Sequence, residues 1–377
     1  MKKTILMTPG PSQVPPESLL KEAEPVIHHR TPEFSKLFQE VNENLKHVFR
    51  TNNEIFIIAS SGTGALEAAV SNTLKKGDKA LVVVGGKFGE RWRDLCKTYG
   101  LETIEINVEW GKRVDLERIR EKINDVNVVF TTLVETSTGV LTDIKAIAGL
   151  TRNTERLLVV DAVSGLGGED LRPDEWGIDV VVAGSQKALM VAPGLSFVCV
   201  NEKAIKRMEE SNLPKFYFDL KKYKKSKEKG ETPFTPSVSL IKSLNESLKM
   251  IKAEGIENVL ERHKKLARAT REAVKAINLE LFSESPSNTV TPVDAPEGID
   301  AEELVKIMEQ KHGIKITGGQ EHLKGKIFRL GHMGYITKND IIQMITALEL
   351  TLSELRHNFE LGNGVKKAIQ VFKEEDI

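Results

Sequence analysis

The chain has 377 residues, enough to bury the core of a large α/β domain with a smaller companion. Its 54 basic side chains are matched by 54 acidic ones, so the basic excess that charge-driven nucleic-acid binding requires is missing. No window approaches the roughly 20 apolar residues of a membrane span, the N-terminus is too weakly apolar for a signal peptide, and two cysteines make no disulfide framework, so a reducing cytoplasm is expected.

Taken in chain order, prolines at 9, 11, 15 and 16 exclude helix at the start and predict an extended N-terminal segment over residues 1–20. Helical spacing begins near Pro32, with Phe34, Phe38, Val41, Leu45 and Val48 at three- and four-residue steps. From Ile55 short β-branched runs recur between helical segments, at 55–58, 80–84, 126–131, 157–160, 180–183 and 196–200. Such runs suit strands covered on both faces, hence a mostly parallel central sheet with helices on each side, in a large domain over 21–250. Cys199 falls in the last of these strands and Cys96 in a helical stretch. The lysine-rich run from Lys221 to Gly230 reads as a solvated loop or an anion-attracting rim. A long helix is predicted from Glu246 to Ala276, charged on one face. Residues 251–377 then form a smaller α+β C-terminal domain, with strands at 290–293, 314–317 and 326–330 and a last helix over about 338–359.

Three segments carry chemistry. In Ser60-Ser61-Gly62-Thr63-Gly64 a strand ends and a helix opens with small residues; its first amides lack partners and suit an anion, although a plain capped helix has the same look. Asp161 closes a buried strand, where a carboxylate faces the ligand crevice of such sheets. It is either a turn former or the partner of a pyridinium nitrogen. Lys187 follows the next strand among small and apolar neighbours, and a desolvated lysine is the nucleophile that carbonyl cofactors require. Phe88, in a glycine-flanked loop, could stack on a planar ring or anchor the core. Arg329 lies in a predicted strand of the small domain, suited to grip a carboxylate or to make a surface ion pair. Arg30 is read as a capping or interface residue, with a second anion contact as the alternative. No metal site is read.

In this order the pieces resemble the class V aminotransferases, and within them the alanine–glyoxylate/serine–pyruvate aminotransferase group. The resemblance runs from Thr8-Pro9-Gly10-Pro11-Ser12 to Arg329-Leu330-Gly331, through Ser61-Gly62-Thr63-Gly64-Ala65-Leu66-Glu67, Glu135-Thr136-Ser137-Thr138-Gly139, Asp161-Ala162-Val163-Ser164 and Ser185-Gln186-Lys187. It implies a fold-type I transferase dependent on pyridoxal 5′-phosphate, with Lys187 as the Schiff-base lysine and Asp161 on the pyridine nitrogen. By the same resemblance Val163 and Phe88 enclose the ring and Thr136 binds its hydroxyl. Ser61, Gly62, Thr63 and Gln186 hold the phosphate, with Thr235 reaching in from the other subunit of a homodimer. Arg329 binds the substrate carboxylate near Gly10. Relatives often carry tryptophan where this chain has Phe88, and some a tyrosine where it has Thr232.

The expected reaction moves an amino group from alanine, serine or aspartate to glyoxylate or pyruvate by a ping-pong mechanism. Aspartate and 2-aminoethylphosphonate transaminases are rivals on the same fold. A cysteine desulfurase would need a cysteine in the small domain, and both cysteines precede residue 200. From another class, a nucleotide-binding or catalytically silent protein is the alternative; a dinucleotide fingerprint would need glycine where Glu67 stands.

Overall fold

All six of the apolar runs become strands of one seven-stranded sheet. In the computed structural model, which describes residues 4–375, its order is Glu54–Ile58, Ser196–Val200, Val180–Gly184, Leu157–Asp161, Val128–Thr132, Lys79–Val84 and Glu102–Asn107. Ser196–Val200 runs antiparallel to both neighbours, and the other pairings are parallel. The seventh strand, Glu102–Asn107, escapes a search for apolar runs: as an edge strand it mixes the polar Glu102, Thr103, Glu105 and Asn107 with Ile104 and Ile106, and it pairs only with Lys79–Val84.

Alternate side chains along each strand feed two cores, as the two-residue period dictates. Leu158 and Val160 join Phe34, Leu45, Ile147 and Leu244 on one face. Val159 joins Leu66, Trp92, Phe130 and Met208 on the other. The smaller C-terminal domain has its own core around Phe328, Leu330, Ile345 and Leu348, under an antiparallel sheet of Val290–Asp294, Ile327–Gly331 and Thr317–Gly318. The N-terminal strand Ile5–Leu6 pairs in parallel with Ile314–Lys315, and Ile5 and Met7 belong to this core.

Four expectations are corrected. Residues 16–20 are not extended but open the Pro16–Glu22 helix, because proline at the first helical position sacrifices no hydrogen bond. The predicted 246–276 helix is two helices, Val238–Glu254 and Ile256–Ala276, broken at Gly255 with φ +85°. The last helix stops at Glu354 and a further one, Asn363–Glu375, follows. The lysine-rich run is largely the Leu220–Lys227 helix, capped by Asp219. Residues 1–3, the start of the predicted N-terminal segment, and 376–377 lie outside the described residues.

Candidate active site

The parallel strands deliver their following residues to one edge of the sheet. Ser61 follows Glu54–Ile58, Phe88 follows Lys79–Val84, Thr136 follows Val128–Thr132, Asp161 ends Leu157–Asp161 and Lys187 follows Val180–Gly184. The order of connection reverses between Lys79–Val84 and Val128–Thr132, and at such a reversal a crevice opens at the carboxyl ends of the strands. Residues scattered over more than a hundred positions therefore meet in one place.

Lys187 sits in a tight turn held by Met190 N–H to its carbonyl at 2.9 Å. Its side chain is 8% exposed, and no carboxylate pairs with it among the described residues. The Nζ donates to the Pro9 carbonyl. Burial, with the nearby charge of Arg329, pulls the amine down to about 8 against the opposing pull of Asp161. The N-terminal segment lies over this turn: Ser12 N–H donates to Gln186 O at 2.9 Å and Ser12 Oγ to Lys187 O at 2.7 Å. At Gly10, with φ +127°, a β-carbon would run into the end of the Lys187 side chain, so only glycine lets the backbone pass so close. A cavity of about 550 Å³ shares Met190 with the turn, but neither Lys187, Asp161 nor Arg329 lines it.

Asp161 is 2% exposed and its Oδ1 accepts Val163 N–H at 2.8 Å. Burial pushes the carboxyl up to about 6, with that hydrogen bond opposing. Ser61 precedes the Gly62–Thr73 helix in extended conformation, makes no side-chain cap, and is followed by no acidic residue in the first turn. The amino end is thus open to an anion. A β-carbon on Gly62 would stand 3.0 Å from Val163, which fixes the close approach of the two segments. Gln186, half-buried, adds an amide whose buried Oε1 has no partner.

Arg329 is 7% exposed, on the central strand of the small sheet. Its Nε donates to Gly318 O at 2.9 Å and Nη1 to Thr136 O at 3.0 Å. Nη2 has no partner among the described residues, and burial lowers the guanidinium to about 10. A buried cation without a carboxylate is costly unless an anion joins it. Thr136 Oγ1 lies 2.5 Å from Ser164 Oγ.

Phe88 is in the first turn of the Lys87–Thr98 helix, not in a loop. The carboxylate of Glu135 caps that helix, accepting Phe88 N–H at 3.1 Å and Gly89 N–H at 3.0 Å. Glu135 opens the Glu135-Thr136-Ser137-Thr138-Gly139 motif, where the sequence assigns it no role; a cap supplied across 47 positions leaves no local signature. Arg91, one turn further, lies over the Phe88 ring at 4.7 Å and acts electrostatically on both Lys187 and Asp161. Its spacing from Phe88 was the signal available. Thr235 is exposed and makes no hydrogen bond to this chain's own site. Arg30 is paired with Glu231.

The donor set fits pyridoxal 5′-phosphate: an open helix end for the phosphate, a carboxylate for the ring nitrogen and a buried amine with no carboxylate partner for the aldehyde. The fold and this site define a fold-type I enzyme dependent on that cofactor. The profile of the family described as Aminotransferase class-V matches residues 12–343, and the chain belongs to this family: it is a pyridoxal-phosphate-dependent aminotransferase. A relative from Paracoccus denitrificans, an L-aspartate–glyoxylate aminotransferase, is 36% identical over 98% of this chain and 96% of its own. The solved ureidoglycine–glyoxylate aminotransferase of Bacillus subtilis superposes with a TM-score of 0.93 at 30% identity, covering 99% of each chain. A protein of Synechococcus named as the small subunit of a soluble hydrogenase is 43% identical over 98% of each chain. Cys96 and Cys199 are buried on separate elements with thiols pushed up to about 12, and no group of three or more His, Cys, Asp or Glu among the described residues could hold a metal.

Proposed function

We propose that this aminotransferase moves the amino group of a small L-amino acid (alanine, serine or aspartate) to glyoxylate or pyruvate, in two half-reactions with ping-pong kinetics. The observation that carries the reading is the buried Arg329, held by two carbonyls with Nη2 left for a substrate carboxylate, its charge acting on a Lys187 that no carboxylate pairs among the described residues. Glyoxylate stands first among acceptors because the aspartate and ureidoglycine enzymes similar to this chain are both named for it.

When bound, pyridoxal phosphate supplies the electron-withdrawing ring and carries the amino group between half-reactions. The chain does the rest. Lys187 anchors the cofactor, and its freed Nζ, lowered to about 8, carries the substrate α-proton. Asp161 stays ionised against the protonated ring nitrogen, which offsets the burial that raises it. Ser61, Gly62, Thr63 and Gln186 hold the phosphate, Val163 and Phe88 enclose the ring, and Thr136 meets its hydroxyl. The protein is a homodimer in which Thr235 of the partner subunit completes the phosphate site. The exposure of Thr235, with Leu20 at 68%, Val26 at 70% and Phe216 at 73%, supports this assembly. No helix among the described residues is long and apolar enough to cross a membrane. The two free cysteines support the proposal of a reducing, cytoplasmic setting.

Arg91, half-buried and without a carboxylate partner among the described residues, favours aspartate among the donors by offering its second carboxylate a contact. The test is a half-reaction screen. Holoprotein is mixed with single amino acids while its visible absorption is followed, and glyoxylate or pyruvate is then added. A donor should bleach the band and an acceptor restore it. A colourless protein, or a band that no amino acid bleaches, would sink the proposal.

A further inference from the structure

The mechanism above makes no use of Glu135, yet it is 5% exposed at the centre of the site, and no Lys, Arg or His pairs with it among the described residues. Its carboxylate is surrounded by donors instead. Oε2 accepts Phe88 N–H at 3.1 Å and Gly89 N–H at 3.0 Å; Oε1 accepts Ser137 N–H at 3.3 Å and Ser137 Oγ–H at 2.6 Å. The same Ser137 hydroxyl accepts Lys87 N–H at 3.1 Å. Gly86, at the cap position of the Lys87–Thr98 helix, has no side chain to do this, and a β-carbon there would collide with Glu135 and Ser137. The helix end is thus built to receive a carboxylate from another strand.

Two site residues depend on this contact. On one side is Phe88, whose own N–H is held. On the other is Thr136, next in the chain, whose carbonyl accepts Arg329 Nη1. We infer that Glu135 is a positioning residue: docked on the amino end of the Lys87–Thr98 helix, it seats Phe88 against the cofactor ring and sets the carbonyl that aims Arg329. The inference rests on the proposed stacking of Phe88. A mere helix cap would act on stability alone; a positioning residue also changes how the ring is held and how the substrate carboxylate binds.

The experiment titrates cofactor-free wild type, Glu135→Gln and Ser137→Ala with pyridoxal 5′-phosphate. It reads affinity from visible absorbance, ring seating from visible circular dichroism, and folding from the thermal midpoint. Glu135→Gln keeps the size but turns an amide N–H toward backbone N–H groups, so affinity should fall about tenfold or more, the visible dichroism should shrink, and KM for the amino acid should rise more than kcat falls. Ser137→Ala removes the hydroxyl's two bonds, to Glu135 Oε1 and from Lys87 N–H, and should lose about threefold or more; it carries the test alone if Glu135→Gln does not fold. Affinity within about twofold of wild type with unchanged dichroism, or a loss confined to the thermal midpoint, overturns the inference. A wild-type protein that takes up no cofactor overturns the reading it rests on instead.

Discussion

At the scale of residues, the site is an arrangement of groups that burial has made uncomfortable. Lys187 lacks a carboxylate and is lowered to about 8, Asp161 is raised to about 6, and Arg329 is lowered to about 10, each chiefly by desolvation. In the proposed function the charged cofactor relieves Lys187 and Asp161 and a substrate carboxylate relieves Arg329, which would tie their perturbation to function. Lys187→Ala should therefore abolish the borohydride-reducible attachment of pyridoxal phosphate, checked by mass spectrometry of the reduced protein. In Gly10→Ala the added methyl meets the lysine side chain at a backbone angle unfavourable to alanine. Its absorption spectrum should show the attachment weakened while the fold persists. Arg329→Lys keeps the charge but not the planar fork, and steady-state kinetics should show KM for the amino donor raised about tenfold or more. An unchanged KM would remove Arg329 from substrate binding. The positions of Asp161 and Lys187 were legible because the ends of buried strands mark themselves in an apolar sequence, whereas Arg329 was read inside a strand of the small domain. The helical setting of Phe88 was not, because its cap comes from Glu135.

At the scale of elements, the Lys87–Thr98 helix bears the most weight. Glu135 holds its first turn, and Trp92 pins its middle, fully buried with its ring 4.7 Å from that of Phe130. Trp92→Ala should cost about 3–5 kcal/mol in denaturant unfolding, as large buried aromatics do. Because Trp92 faces the core rather than the cleft, the loss should appear with and without cofactor; a loss confined to the holoprotein would contradict this placement. The six apolar strands were plain in the sequence because burial on both faces demands continuous β-branched runs. The edge strand Glu102–Asn107 was hidden because one exposed side relaxes that demand.

At the scale of the whole molecule, the loop after Arg329 is tied down by two fully buried histidines. His263 Nε2 accepts Gly334 N–H at 2.9 Å; His332 Nε2 lies 2.8 Å from Thr291 Oγ1 and Nδ1 lies 3.0 Å from Asn288 O. Burial pushes both down to about 3, so the folded protein keeps them neutral where the unfolded chain takes up protons, below about 6.5. Their contribution is present at neutral pH and is lost as pH falls from about 6.5 toward 3. Glu169, which accepts the Asn288 side-chain amide at 3.0 Å, is raised by burial to about 7. The folded state protonates it first, so its effect has the opposite sign and favours folding as pH falls from about 7 toward 4. Between about pH 7 and 5 the thermal midpoint of wild type should fall faster than that of His332→Asn and more slowly than that of Glu169→Gln. Parallel curves would exclude both assignments.

The sequence by itself determined the class of sheet and the positions of Asp161 and Lys187 at or just after strand ends, while the cofactor entered through the resemblance of its motifs to a family. The first two follow from local rules: continuous β-branched runs, burial and the cost of a lone charge behind a strand. Only the tertiary structure decided which distant groups meet. The Pro9 carbonyl against Lys187, the Glu135 cap beneath Phe88, the Arg91 guanidinium on its ring and the pairing of Ile5–Leu6 with the small domain all join segments far apart in the chain. No periodicity encodes such contacts, since they arise from how packed elements are brought together rather than from any stretch of residues.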